Sequence, residues 1–233
     1  MKFSISSKII AKHPNLKIGV IVIKKVDNSK KNELIENLLR RTEEELMEQT
    51  GNKSVNDFSH IQEWKEVHKS FGNNPKRYAP SVLAIVKRVL KGGHLPSINP
   101  LVDLYNYISL KYVAPVGGED LDQCDGDIIL DFARGDEEFF EIGSTENKSP
   151  IKGEIVYKDN KGVLCRKFNW READRTKLTE DTKNAIIVIE ALNTISDEEL
   201  NSALDDLRNL ISEYCEGEIQ THILKEGKAE VNL

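Results

Sequence analysis

Cysteine is scarce. Only Cys124, Cys165 and Cys215 occur in 233 residues, far apart and with no Cys-x-x-Cys pair. That pattern excludes a zinc ribbon and a thioredoxin-type site, and the odd count reads as free thiols. The five histidines are equally scattered, with no two at ligand spacing on one helix. No apolar run, residues 185–189 among the longest, approaches the ~20 residues that span a bilayer. The N-terminus Met1-Lys2-Phe3-Ser4-Ile5-Ser6 lacks an apolar signal core and a small-residue cleavage site. A cytoplasmic protein without membrane attachment is therefore expected. Basic excess is missing too: 33 Lys and Arg against 39 Asp and Glu leave a formal charge of -6. That balance argues against a general nucleic-acid coat protein, though a local basic patch can still grip one end of a nucleic acid. Ser81, Ser97, Ser109 and Cys165 have no histidine in a recognisable partner motif, so a Ser-His or Cys-His mechanism has little support. Cys165 inside an apolar strand reads more simply as a small buried residue. Nothing in the sequence calls for a metal or an organic cofactor.

What is present is an ordinary globular composition, 39% hydrophobic and 31% charged, long enough for one sizeable core. Without repeats or low-complexity linkers, residues 1–233 read as one continuous domain. The β-branched run 17–24 predicts a buried strand. Apolar residues at helical spacing predict helices over 31–49, 58–71 and 80–90, the last closed by Gly92-Gly93. Asn99 as N-cap and Pro100 at the first helical position open a further helix to about residue 110. Short strands are expected over 127–133, 138–142, 154–158 and 163–168, with a hairpin turn at 158–162. A buried strand follows over 185–191. The capping box Ser196-Asp197-Glu198-Glu199 starts a helix to about residue 214, and residues 218–224 form a final strand. The class is α+β, a mixed, largely antiparallel sheet with flanking helices.

Three segments stand out in order. The first is His94-Leu95-Pro96-Ser97-Ile98-Asn99-Pro100-Leu101-Val102-Asp103-Leu104-Tyr105-Asn106-Tyr107. The second is Pro115-Val116-Gly117-Gly118-Glu119-Asp120-Leu121-Asp122. The third is Asn169-Trp170-Arg171-Glu172-Ala173-Asp174-Arg175-Thr176, leading into Thr179-Glu180-Asp181-Thr182. Over about residues 67–192 the chain resembles the B3/B4 editing domain of the phenylalanyl-tRNA synthetase beta subunit, as a free-standing copy. Two departures are visible. Gly117 stands where many synthetases carry a histidine, and Trp170-Arg171-Glu172 stands where they carry Gly-Gly-Glu. The resemblance implies hydrolysis of the ester of a wrongly charged tRNA, with the aminoacylated 3′ end as partner rather than DNA. The aminoacylation motifs are absent, so the chain is not expected to charge tRNA by itself. Tyrosine on phenylalanine tRNA is one substrate so implied. An acid-rich site equally suits an arginine-like residue, such as canavanine on arginine tRNA.

Such hydrolysis needs a positioned water, an oxyanion site and an amino-acid pocket. A Gly117-Gly118 turn can aim backbone N–H groups at an oxyanion, or can be a plain tight turn. Glu172 matches the glutamate that lines the synthetase pocket, with Glu119 and Asp174 as further carboxylates and Asp120 read first as a loop or cap residue. Asn99, Asp103 and Asn106 either meet substrate or serve the architecture, Asp103 and Asn106 sharing one helical face. Arg166, Lys167, Arg171, Arg175 and Lys177 form the densest basic stretch, with Trp170 interleaved. It reads as a tRNA contact or as a solvated strand edge with a buried indole. A non-catalytic RNA-binding module and an amino-acid-binding protein remain the alternatives.

Overall fold

The computed structural model describes residues 1–29, 31–51 and 54–233. The chain begins with β1 (Lys2–Ile5), α1 (Ser7–Lys12) and β2 (Lys17–Lys24), followed by α2 (Glu33–Thr50), α3 (Ser59–Ser70), α4 (Ser81–Val89) and α5 (Pro100–Tyr112). Strands β3 (Val116–Asp120), β4 (Ile128–Phe132), β5 (Ile155–Lys158), β6 (Val163–Arg166), β7 (Arg171–Glu172) and β8 (Ala185–Ala191) come next. Helix α6 (Asp197–Tyr214), β9 (Glu218–Leu224) and β10 (Glu230–Asn232) complete the order.

The strands divide into two sheets. One runs β3-β8-β2-β9 and is antiparallel throughout. The other runs β10-β1-β4-β5-β6-β7, with β1 and β4 as its parallel pair. The class is α+β. Alternation along β2 and β8 decides what each face meets. Ile21, Ile23, Ile187 and Ile189 pack with Leu104 and Ile108 of α5 and with Leu204, Leu207 and Ile211 of α6. Val20, Val22 and Ile186 turn the other way, into a core shared with Phe3, Leu130, Leu164 and Phe168 of the second sheet. The functional cavity lies on this inter-sheet side. Among the described residues no helix is long and apolar enough to cross a membrane.

Helix α5 starts as its sequence predicts. The Asn99 side chain accepts from Val102 N–H at 3.1 Å and donates to the Leu178 carbonyl at 3.1 Å, and Pro100 opens the helix. Two expectations fail. Residues 138–142 form no strand but two single bridges, Phe140 to Asn147 and Glu141 to Ala173. The Asn147 side chain takes the Phe139 N–H at 3.0 Å, so a local side-chain bond replaces a ladder bond. Conversely, Gly117-Gly118 is no turn: both lie in β3, opposite Val188 and Ile187. Two glycines weaken a strand by propensity alone, but five ladder pairs outweigh that here. Gly118 also tolerates no Cβ cheaply, since one would sit 3.0 Å from the Ile186 carbonyl oxygen.

Asn99→Ala removes both the cap and the tie to Leu178. It should lower unfolding free energy by about 1–2 kcal/mol, read as a shifted urea midpoint at unchanged slope.

Candidate functional site

A cavity of ≈520 Å³ opens between the two sheets. Its inner wall is apolar: Phe3, Ile128, Phe168, Ile186 and Val188. Three carboxylates interrupt that wall. Glu119 comes from β3, Glu172 from β7 and Glu190 from β8. Arg171 is the one basic side chain among the described residues that line it, and at 3.1 Å it already pairs with Glu141. Asn106, Trp170, Pro96 and Ile98 complete the lining.

Excess negative charge in an apolar space raises carboxyl pKa values. Burial pushes Glu172 up to about 7, against the pull of the Gly118 amide. Burial pushes Glu190 up to about 7 as well; the hydroxyl of Tyr157 and the amide of Asn169 oppose the rise, and the charge of Glu172 adds to it. Glu119 stands well above its ordinary value, first through burial and then through Glu172, with Thr176 and Arg175 tempering the shift. Glu119 Oε2 is buried without a hydrogen-bond partner. A cationic or donor-rich ligand would relieve all three groups. Among the described residues no three His, Cys, Asp or Glu side chains converge to hold a metal ion.

Gly117 and Gly118 serve this site differently. A Cβ on Gly117 would lie 2.7 Å from Glu172 Oε1, so the missing side chain makes room for that carboxylate. The backbone directions follow from neighbouring bonds. Pro115 O accepts from Glu190 N, which turns residues 115, 117 and 119 toward β8. Asp120 N–H points off the open edge to Thr176 O at 2.8 Å, and Gly118 N–H, two residues earlier, points the same way. One strand-edge amide therefore faces the cavity, beside Glu172, in place of the two expected from a turn.

The other sequence candidates separate cleanly. Asn106, Glu119, Trp170, Arg171 and Glu172 meet at the cavity with Gly117 and Gly118. Asn99 is a buried cap. Asp103 accepts from Ser97 Oγ at 2.6 Å and Ile98 N–H at 2.9 Å, holding the segment that carries Pro96 and Ile98. That segment is fastened further by Leu95 N–H to Glu43 at 2.7 Å, Arg40 to Leu95 O at 2.5 Å and Arg88 to His94 O at 2.6 Å. Asp120 caps a short turn through Asp122 N–H and accepts from Thr182 Oγ1 at 2.7 Å. Asp174 lies outside this cavity, bonded to Lys177 at 2.7 Å and Gly143 N–H at 3.1 Å.

The basic stretch is largely consumed inside the protein. Arg166 and Lys167 are buried: Arg166 forks onto Glu154 at 2.8 Å twice, and the Lys167 ammonium reaches the same carboxylate at 2.9 Å. They are unavailable to a phosphate, which corrects the reading of these two as surface contacts. Arg175 forks onto Asp159 at 2.9 and 3.0 Å, and Lys177 pairs with Asp174. Only Trp170 and the exposed Arg171, stacked 5.7 Å from its ring, remain at the mouth.

Sequence reasoning passed over Glu190, Tyr157, Asn169 and Ser81, all of which line the cavity. A lone carboxylate within the apolar strand Ala185–Ala191 was the available signal, because such a group is seldom buried without purpose.

Two stacked sheets flanked by helices, enclosing an acid-lined cavity with an aromatic and an arginine at its mouth, define an α+β ligand-binding protein. The chain belongs to the B3/4 domain family, whose model matches residues 63–216. No curated protein matches it. Among solved structures it is similar to an N-terminal fragment of the phenylalanyl-tRNA synthetase beta subunit from Pyrococcus horikoshii. Identity is 15% and the TM-score 0.47, over 93% of this chain and 49% of that one. The chain thus spans about half the length of that structure.

Glu190 makes stability depend on pH. Its folded value, about 7, exceeds the ordinary 4.5, so between these the folded state keeps a proton that the unfolded chain has released. Its contribution therefore falls as pH rises through that window. His68, lowered to about 4 mainly by burial, acts with the opposite sign but is common to wild type and variant. The melting temperature of Glu190→Gln minus that of wild type should rise between about pH 5 and about pH 8; a flat difference would refute the assignment. Gly117→Ala should leave the melting temperature nearly unchanged, because a flexible carboxylate can retreat, while a structure of the variant shows Glu172 displaced.

Proposed function

We propose that this chain is a trans-acting hydrolase that deacylates mischarged aminoacyl-tRNA and charges none. The observation that carries this reading is the convergence of Glu172, Glu119 and the strand-edge amide of Gly118 on one apolar cavity in a B3/4 family member. Glu172, with a pKa of about 7, divides between both protonation states near neutral pH, as a group that orients water or holds the substrate ammonium should. Water attacks the ester carbonyl, and the Gly118 N–H supports the developing oxyanion. The terminal ribose hydroxyl of the tRNA assists as a proton relay. Trp170 offers a stacking face to the terminal base and Arg171 a charge to its phosphate. Tyrosine on phenylalanine tRNA and canavanine on arginine tRNA are the candidate substrates. Among the described residues the cavity lining contains no histidine, which favours a second reading as a non-catalytic tRNA-binding module.

The test is deacylation across a panel of radiolabelled aminoacyl-tRNAs that includes both mispairs, with Glu172→Ala in parallel. Multiple-turnover hydrolysis of one mispair, reduced by about 10²-fold or more in the variant, is expected. Binding of tRNA without hydrolysis of any member would replace this reading with the second.

A further inference from the structure

Glu190 has no part in the hydrolytic step outlined above, yet at 2% exposure it is the most buried of the three cavity glutamates. Alternation along the strand puts it on the cavity face with Ile186 and Val188. Tyr157 donates its hydroxyl to Oε1 at 2.5 Å, and Asn169 donates Nδ2 to Oε2 at 2.5 Å. Asn169 is itself fixed: its Oδ1 accepts from His68 Nε2 at 3.0 Å, and the other His68 nitrogen accepts from Asn73 Nδ2 at 2.6 Å. Both ring nitrogens are thereby assigned in a neutral imidazole. Each Glu190 oxygen accepts one bond and keeps capacity for another. Among the described residues no lysine or arginine pairs with it, and Phe3, Phe168 and Val188 share its wall. Ser81 Oγ, on the same lining, is buried without a partner, although the Ser81 N–H bonds Asn169 O at 2.8 Å. A carboxylate held in place by two neutral donors, facing an apolar space, is completed only by a ligand that brings a donor.

We propose that Glu190 is the specificity-determining residue of the cavity. It receives a hydrogen-bond donor at the far end of the bound amino acid's side chain, and so selects side chains ending in O–H or N–H over apolar ones. The inference rests on reading the cavity as an aminoacyl site. Glu172, less buried, takes the ammonium, and the side chain runs inward to Glu190. An apolar side chain would leave the carboxylate desolvated and unpaired, and sites of this kind discriminate strongly for that reason. A phenol and a guanidinium share the chemistry that Glu190 reads.

The test is calorimetric titration of the full chain with tyrosinamide, argininamide, phenylalaninamide and leucinamide, for wild type, Glu190→Gln and Tyr157→Phe. Wild type should favour at least one donor-bearing amide over both apolar ones by about tenfold or more. Glu190→Gln should bring that ratio close to one by weakening the donor-bearing arm alone. Tyr157→Phe, which keeps the carboxylate, should retain the preference. The tyrosine and arginine arms tell which donor is read. A uniform loss for all four amides in Glu190→Gln, an unchanged ratio, or no binding of any amide overturns the proposal. The same ratio read as kcat/KM on aminoacyl-tRNAs separates it from the hydrolase reading. No turnover with the amide preference intact removes only the hydrolase, and turnover with a Glu190-independent ratio removes only this inference.

Discussion

One buried carboxylate, Glu154, fixes the geometry on which the cavity depends. It takes the Arg166 fork, the Lys167 ammonium and the Lys167 N–H, at 2.8 to 3.1 Å. Burial works to raise its pKa, and the two cations overcome that and leave it lowered. The backbone at this point is strained: Lys167 and Phe168 both have positive φ, 50° and 68°. Such residues cost of order 1–3 kcal/mol each and persist only where the surroundings over-determine them. Here the Glu154 bonds hold one side. The Phe168 ring, edge-on to Trp64 at 5.0 Å, and its N–H on Ile155 O at 2.7 Å hold the other. The turn ends β6 and delivers Asn169 and Trp170 to the cavity, with β7 and Glu172 directly after.

The same turn explains why the basic stretch misleads when read as sequence. Arg166 and Lys167 look like neighbours of Arg171 on a solvated edge. Their charges point inward because a glutamate twelve residues earlier in the chain lies across the adjacent strand. Non-local pairing of that kind leaves no local pattern. The helices and the central strands were legible, since hydrophobic periodicity and caps such as Asn99 and Ser196 are local. Strand β3 was not, because two glycines read as a turn until five pairs with β8 overrule them. Of the site, Glu172, Glu119 and the glycines stood in motifs. Glu190, in an apolar strand with no motif of its own, became visible only once alternation assigned its face.

The cavity's charge follows from elements that individually make sense. Each glutamate enters from a different strand, so no single segment appears acidic. The sum is three carboxylates against one rim arginine that is already paired. A protein that keeps such an arrangement forgoes stability there, since apolar replacements of similar volume would pack without desolvating charge. Stability is then supplied elsewhere, by the two cores on either face of β2 and β8.

The segment bearing Pro96 and Ile98 is bolted to Glu43, Arg40, Arg88 and Asp103 through backbone as well as side-chain atoms. A mouth fastened in this way is a threshold rather than a gate. A visitor meets an opening already shaped, and little ordering entropy is spent at that rim on entry. Selection between visitors is then made by what lies inside, and residence is governed by how fast those inner contacts release.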